Sequence, residues 1–219
     1  MRWLIAATIA ALLALGGWQL QRRAEKLELI ARVERRLQEP YVPAPGPASW
    51  AAIGPDTTFT RIYAVGRYRS DSDTRVQAVT RYGGGYWLLT PFDTGAFTLL
   101  INRGFVPAGY RQRVPPPQGM TTVRGLMRVS EPLGGFLQRN DPAAERWYSR
   151  DVAAIGARRG VIRPAPYFID AEAGRDTVPR GGLTTVRFAN NHLLYALTWF
   201  VCAGVLAWLA WRARRKTLI

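Results

Sequence analysis

Two apolar runs, one near each end of the chain, restrict the fold more than any other feature of the sequence. Residues 3–20 contain only Thr8 and Gln19 as clearly polar members, and residues 193–211 contain no charge. At about 1.5 Å of rise per helical residue, each run is long enough to cross the hydrocarbon core of a bilayer. The sequence therefore predicts a membrane protein with transmembrane helices at residues 1–20 and 190–211.

Each run has an alternative interpretation. The first could be a cleaved signal peptide, because Ala14-Leu15-Gly16 resembles a small-x-small cleavage site. The second could be the buried core helix of a soluble domain. No polar region precedes the cleavage site, and the second run lacks a polar face and is followed by a basic tail at residues 212–219. These observations favour two membrane helices.

The segment between the runs predicts a β-rich domain. Good helix formers follow residue 20, so we expect the first helix to continue as a polar helix to about residue 38, before Pro40. Residues 39–189 then form the domain, in which short segments rich in β-branched and aromatic residues recur. We expect strands at residues 59–68, 75–82, 86–91, 97–102, 121–129 and 166–170, a hairpin turn at 93–96, a glycine connection at 83–85, and a short helix from Ser149 to Ala157.

The expected fold class is thus α+β, with two transmembrane helices flanking one antiparallel, β-rich extracytoplasmic domain. The basic tail at residues 212–219 indicates a cytoplasmic C-terminus, and two spans return the N-terminus to the same side. The long loop between the spans translocates largely regardless of its charge. The sequence does not resemble a transit peptide, so we expect the inner membrane of a bacterium, a periplasmic domain and two cytoplasmic termini.

The sequence lacks the residues and motifs that several classes of protein require. One cysteine, Cys202, and one histidine, His192, cannot build a disulfide framework or a zinc cluster. No G-x-S-x-G motif is present, and Asp71 and Asp73 lie in a turn-like stretch typical of a solvated loop. The net charge of +15 would suit nucleic acid or anionic lipid, but no recognition helix is evident. We therefore expect no enzymatic activity and no nucleic-acid partner.

The outer ends of the two predicted membrane helices give more information about function. If both termini are cytoplasmic, the outer ends of the two helices lie at one depth, which brings residues 18–23 close to His192. Spacings of three and four residues put His192, Tyr195 and Trp199 on one helix face. An imidazole, an apolar slot and nearby guanidinium groups are what haem requires from a protein. The candidate cofactor-binding residues are Trp18, Gln19, Arg22, His192, Tyr195 and Trp199, with His192 as the candidate ligand of the haem iron.

The same residues allow a simpler interpretation. A histidine at a helix start beside two asparagines could cap or anchor the helix. The arginines could contact lipid phosphates rather than a cofactor. Residue chemistry alone leaves both interpretations open.

Four sequence blocks carry a resemblance to a known family. GGWQLQRRAEKLELIARV, GGGYWLLTPF, LLINRGFVPAGYR and NNHLLYALTWF occur in this order between the two runs and at their inner ends. Together they resemble the surfeit locus protein one family over nearly the whole chain. The family's first block often contains a tryptophan where this chain has Glu25.

This resemblance implies an assembly factor for cytochrome c oxidase rather than a catalyst. Similar bacterial proteins lie in the inner membrane and are thought to hold haem a during its insertion into the catalytic subunit of the oxidase. The family's proposed haem ligand corresponds to His192. The implied partners are that catalytic subunit, with haem a synthase as a second candidate, and membrane lipid. Two alternatives stay open: a scaffold that stabilises oxidase subunits without haem, and an enzyme of unrecognised type.

Overall fold

The computed structural model describes residues 2–70, 72–132, 134, 138–172, 174, 178–184 and 189–216, and Asp71 lies outside these ranges. The chain divides into two units, Arg36–Thr185 and the paired terminal segments Met1–Arg35 and Val186–Ile219. The regular elements of the described residues are α1 (Arg2–Arg36), β1 (Val42–Pro43), β2 (Arg61–Tyr68), β3 (Thr74–Thr80), β4 (Gly83–Asp93), β5 (Thr98–Pro107), β6 (Thr121–Val129), α2 (Val152–Arg158), β7 (Pro164–Ala171) and α3 (His192–Lys216).

The two terminal helices are long and apolar. Within them, Trp3–Arg36 and His192–Ala213 each contain a stretch long and apolar enough to cross a membrane, and little of either stretch is buried inside the protein. Large apolar side chains such as Trp3, at 88% exposure, and Leu194, at 67%, face outward. The helices cannot be the core of a soluble domain, because such helices bury most of their apolar surface. The prediction of two long apolar helices around a β-rich domain is confirmed.

The β-rich unit is built on one seven-stranded sheet in the order β1-β2-β6-β7-β5-β4-β3. An additional pairing joins the end of β2 to β4, at Arg67–Asp93 and Tyr68–Phe92. Strands β2, β6, β7, β5 and β4 therefore close into a small barrel. The β3 strand extends the sheet from β4, and β1 adds a short pairing to β2.

The sheet is mixed, so the prediction of an antiparallel domain is confirmed only in part. Strands β5 and β7 run parallel, with Leu100 opposite Phe168 and Asn102 opposite Asp170. Strand β1 is also parallel to β2. The chain enters β7 through the long connection that contains α2, and a long connection permits a parallel neighbour where a tight hairpin does not. Residue alternation identifies a strand but does not identify its partner.

Alternation along the strands divides the apolar residues between two clusters. Side chains pointing into the barrel include Phe92, Ile101 and Tyr167, each fully buried. Outward-pointing neighbours such as Leu100 and Phe168 pack under α2. Burial on both sides explains why β5 and β7 carry apolar side chains on both faces rather than on one.

Two local predictions are corrected by the structure. The residue that caps α2 is Asp151, whose carboxylate accepts a hydrogen bond from the backbone N–H of Ala154 at 3.1 Å. Ser149 instead accepts hydrogen bonds from Asn140 and Gly134. The glycine run at residues 83–85 opens β4 itself and is not a connection, since β3 ends at Thr80.

Candidate cofactor-binding site

The solitary histidine makes a direct contact between the two terminal helices. His192 is the first residue of α3, and its Nδ1 atom lies 2.7 Å from Oε1 of Gln19 in α1. Both side chains are half-buried. Each lies at the end of its helix's apolar run, as expected from the equal depth of the two run ends. The structure therefore brings together two of the six candidate residues through a hydrogen bond.

The chemistry of this hydrogen bond fixes the imidazole tautomer. An amide oxygen can only accept, so Nδ1–H of His192 donates to Gln19. In the neutral ring, Nε2 then carries the lone pair. The described residues give Nε2 no hydrogen-bond partner. A histidine whose second nitrogen is held by an outer acceptor is the usual arrangement of a metal-ligating histidine.

A close helix–helix contact lies one turn from this pair. Gly16 of α1 is buried, and a Cβ atom added there would collide with the ring of Phe200 in α3. On α3, Ala196 is also fully buried and Ala203 nearly so. Small residues therefore allow the close approach, as is common between membrane helices. Gly17, by contrast, has nothing near it.

The other candidate residues are less enclosed. Trp18 and Tyr195 are each more than half exposed, and Trp199 is half-buried. Arg22 is exposed and forms an ion pair with Glu25 of its own helix at 2.5 Å. Among the described residues, only Gln19 and His192 of the six candidates are joined by a hydrogen bond.

Sequence analysis missed two residues of this unit. Phe200 packs against Gly16, and the pairing of a glycine with a ring in the opposite run was the available signal. Asn190 has a buried side-chain oxygen that finds no hydrogen-bond donor among the described residues. A buried acceptor without a donor is costly, so this atom would be stabilised by a hydroxyl or protonated carboxyl group beside His192.

A second polar cluster lies in the β-rich unit around Asp170. Its carboxylate is 5% exposed and accepts hydrogen bonds from Asn102, Thr184 and two arginines. Arg128 and Arg150 each bridge from Asp170 to Glu131. Two cations thus face two anions, and the cluster is electrically neutral.

Burial and ion pairing oppose each other at Arg150. Burial favours the neutral guanidine, but the carboxylates of Asp170 and Glu131 outweigh it and hold the pKa of Arg150 above its ordinary value. The guanidinium also lies over the ring of Phe168, at 4.8 Å from the centroid. Every carboxylate oxygen of Asp170 and Glu131 accepts a hydrogen bond. The cluster therefore suits a role in holding the strands together rather than in binding or transforming a substrate.

A third group of polar residues corrects the interpretation of Asp73 as part of a solvated loop. Its carboxylate accepts a hydrogen bond from Thr90 and lies 3.7 Å from the guanidinium of Arg103. Arg103 also donates to the backbone oxygens of Val114 and Pro115, each at 2.8 Å, and so fixes the proline loop. Burial lowers the pKa of Arg103, and the nearby Asp73 partly opposes this effect.

The described residues contain no group of three histidine, cysteine, aspartate or glutamate side chains that could hold a metal ion. A single free imidazole nitrogen suits an ion that brings most of its own ligands. The iron of a porphyrin is such an ion, since the macrocycle supplies four nitrogens. The donor set at His192 therefore fits haem better than a bare metal ion.

Comparison with known proteins finds relatives that match nearly the whole chain. The model of the SURF1 family matches residues 6–204. Surfeit locus protein 1 of Rattus norvegicus is 32% identical over 229 residues, which cover 93% of this chain and 72% of the rat protein. The human protein of the same name is 31% identical, over 95% of this chain and 76% of its own length. A SURF1-like protein of Monosiga brevicollis is 30% identical, over 93% and 83%. The chain belongs to the SURF1 family.

Proposed function

We propose that this protein is a membrane-bound assembly factor for cytochrome c oxidase that binds haem a transiently through His192 and assists its insertion into the catalytic subunit. The observation that carries the proposal is the hydrogen bond from Nδ1–H of His192 to Gln19, which leaves the lone pair on Nε2, an atom that no other described residue contacts by a hydrogen bond. Family membership supplies the link to the oxidase. The protein acts as a carrier and not as an enzyme.

The proposed setting is the inner membrane of a bacterium. The runs in α1 and α3 span the bilayer, both termini lie in the cytoplasm, and the β-rich unit lies in the periplasm. The basic tail supports this orientation, since Arg212 and Arg215 lie over the rings of Trp208 and Trp211 at the last turns of α3. The Gln19–His192 pair then lies at the periplasmic boundary of the membrane, where an amphiphilic cofactor can enter laterally.

Each candidate residue would have a separate role in holding the cofactor. His192 would hold the haem iron through one imidazole nitrogen, and Gln19 would fix the orientation and tautomer of the imidazole. Trp18, Tyr195 and Trp199 would provide apolar and aromatic surface. Arg22, once it exchanges Glu25 for another carboxylate, would pair with a propionate. When bound, haem a supplies the redox-active iron that the mature oxidase requires.

An open, singly ligated site also explains release. One protein-supplied nitrogen binds haem iron less firmly than two, and the exposed side chains of Trp18 and Tyr195 do not enclose a ligand. Both properties suit a carrier that hands its cargo to the catalytic subunit. The proposed partners are that subunit, haem a synthase as the source of the cofactor, and membrane lipid. No nucleic acid is involved.

One observation favours a second candidate function. The Gln19–His192 hydrogen bond also ties the two helices together, so it could serve a scaffold that stabilises oxidase subunits without haem. Such a protein would be colourless when purified. It would also keep its association with the oxidase when the imidazole is removed.

The test is an absorption spectrum of the full chain purified in detergent from cells that make haem a. We expect a Soret band that His192→Ala abolishes or strongly weakens. Thr198→Ala, on an exposed position of the same helix, is the matched control and should leave the band unchanged. An unaltered spectrum of His192→Ala would remove the imidazole as ligand, and a colourless wild-type protein would favour the scaffold.

A further inference from the structure

The β3–β4 hairpin presents an incomplete strand edge. One side of β3 pairs with β4 along its whole length. On the other side, Trp147 forms a single bridge with Val76, and its backbone oxygen accepts a hydrogen bond from the N–H of Gln77 at 2.8 Å. The described residues continue this pairing no further, so among them the edge is unpaired from Ala78 onward.

The bond to Trp147 shows which backbone groups face outward. The N–H of Gln77 points away from β4, and backbone groups two residues apart in a strand point to the same side. The N–H and C=O of Val79 therefore also point away from β4. Within the described part of the chain they have no hydrogen-bond partner. An unpaired edge of this kind is a template for another extended segment.

The side chain of Val79 is also unpartnered. It is 89% exposed, and its cross-strand neighbour is Gly84, which has no side chain to cover it. A cavity of about 400 Å³ lies on this face, lined by residues that include Gln77, Gly84 and Tyr86. The glycine run at the start of β4 thus leaves bare a surface that an incoming side chain could fill.

Two guanidinium groups that have no acidic partner in the described part of the chain flank the tip of the same hairpin. Arg81 and Arg180 lie near the ring of Tyr82, at 5.0 Å and 4.3 Å from its centroid. No carboxylate among the described residues forms an ion pair with either of them. Two like charges held beside one ring repel each other, and a bound anion would relieve that repulsion.

A second cavity extends this positive surface. It has a volume of about 370 Å³, and its lining includes Val79, Arg81, Arg128 and Arg150. The last two are balanced by Asp170 and Glu131, so Arg81 contributes charge that the cavity wall does not neutralise. The open strand edge and the excess positive charge therefore meet at Val79 and Arg81.

We propose that the edge of β3 at Val79 is a docking site for an extended, acidic segment of a partner protein, which adds as a strand beside β3 and places its carboxylates against Arg81 and Arg180. Backbone hydrogen bonds at Val79 provide affinity, and the arginines select an acidic sequence. This docking site does not depend on the proposed binding of haem at His192.

The test uses the full chain in detergent and a synthetic eight-residue peptide that alternates glutamate and valine. A lysine–valine peptide of equal length is the control ligand. Binding is followed by fluorescence anisotropy of the labelled peptide, and amide hydrogen exchange is followed by mass spectrometry of residues 76–82. We expect the acidic peptide to bind and to slow exchange in this segment, and the basic peptide to do neither.

Two variants separate the backbone contribution from the charge. Val79→Pro removes the outward N–H at this position, a change that an edge strand tolerates, and should abolish the exchange protection. Arg81→Glu should weaken binding of the acidic peptide by roughly tenfold or more. Arg67→Glu is the matched control, because Arg67 is also exposed and carries the same change of charge beside the far end of β4. It should leave binding unchanged.

Several results would overturn the proposal. Equal binding of both peptides would exclude selection by charge. Binding without protection of residues 76–82, or binding indifferent to Val79→Pro, would exclude strand addition. If neither peptide binds and Arg81→Glu instead weakens association with phosphatidylglycerol vesicles, the arginines contact lipid. The Soret band of these variants, measured in parallel, reports separately on the site at His192.

Discussion

The polar groups around Asp170 and those around His192 differ in how completely they are satisfied. Asp170 accepts four hydrogen bonds, and its two arginine partners are themselves shared with Glu131. Among the described residues, His192 has one hydrogen bond, to Gln19, and its Nε2 atom has none, while the nearby Asn190 has a buried oxygen that meets no donor. Buried polar groups are normally paired, so a closed network indicates a structural role. Polar atoms that lack a hydrogen-bond partner indicate a place where a ligand can bind.

The comparison separates two kinds of consequence for mutation. Removing a residue from the cluster around Asp170 leaves its partners without one of their hydrogen bonds or ion pairs. We therefore expect such a substitution to lower the stability of the fold. Removing a residue from the site at His192 leaves few polar groups of the protein unpaired. We therefore expect such a substitution to lower ligand affinity rather than stability.

The largest effect is expected for Asp170→Ala. The substitution leaves the half-buried Arg128 and Arg150 with one carboxylate between them and removes the acceptor for Asn102. Loss of one partner from a buried ion pair costs about 3–5 kcal/mol, so the free energy of unfolding should fall by that amount. Chemical denaturation of the detergent-purified protein measures it.

The matched control for this variant is Asp56→Ala. Asp56 is exposed in a short 3₁₀ turn, and its replacement should change stability by less than about 0.5 kcal/mol. Equal stability of the two variants would show that the cluster around Asp170 contributes nothing beyond an exposed carboxylate. The difference drawn between the polar groups around Asp170 and those around His192 would then not be reflected in the free energy of unfolding.

A smaller effect, confined to binding, is expected for Gln19→Leu. Leucine cannot accept the hydrogen bond from Nδ1–H of His192, so the imidazole loses its fixed orientation. Changes to such outer partners typically lower metal affinity by about 10–100-fold, and we expect a loss of haem affinity in this range. Titration with haem, followed at the Soret band, provides the measurement.

Gln19→Glu is the conservative variant that distinguishes positioning from general damage. A carboxylate still accepts from Nδ1–H and makes the imidazole a stronger donor to iron. Haem affinity should therefore be retained, with a lower reduction potential of the bound iron. If Gln19→Leu and Gln19→Glu both bind haem as the wild type does, Gln19 is not a positioning residue.

The sequence predicted the parts of this molecule that local chemistry determines. The run ends placed Gln19 near His192 because two antiparallel spans of similar length must end at similar depths. Strand β6 matched the expected residues 121–129 because alternation and turn signals bound it clearly. Pairing between distant segments could not be predicted in the same way. The parallel contact of β5 with β7 and the closure of β2 on β4 depend on how the whole sheet curls, which no single segment encodes.

The buried cluster shows the same limit at the level of side chains. Arg128, Arg150 and Asp170 are far apart in the sequence, and nothing in their local surroundings indicates that they meet. Only the register of β6 with β7 brings Arg128 and Asp170 to adjacent positions. An ionic cluster assembled by strand register is therefore visible only in the folded chain. By contrast, the candidate site at His192 depends on a rare residue at a conspicuous boundary.

The smallest effect is expected at the helix contact, where two adjacent glycines provide a paired comparison. A methyl group at Gly16 would meet the ring of Phe200, whereas one at Gly17 would meet nothing. Gly16→Ala should push α1 and α3 apart near Gln19 and weaken haem binding by about 1 kcal/mol, or roughly fivefold. Gly17→Ala should leave haem affinity unchanged. Adding Phe200→Leu to Gly16→Ala should restore affinity, because the smaller side chain accommodates the methyl group. If Gly16 and Gly17 respond alike, the helices do not need their close approach to hold the imidazole, and the open site at His192 does not depend on the helix pair.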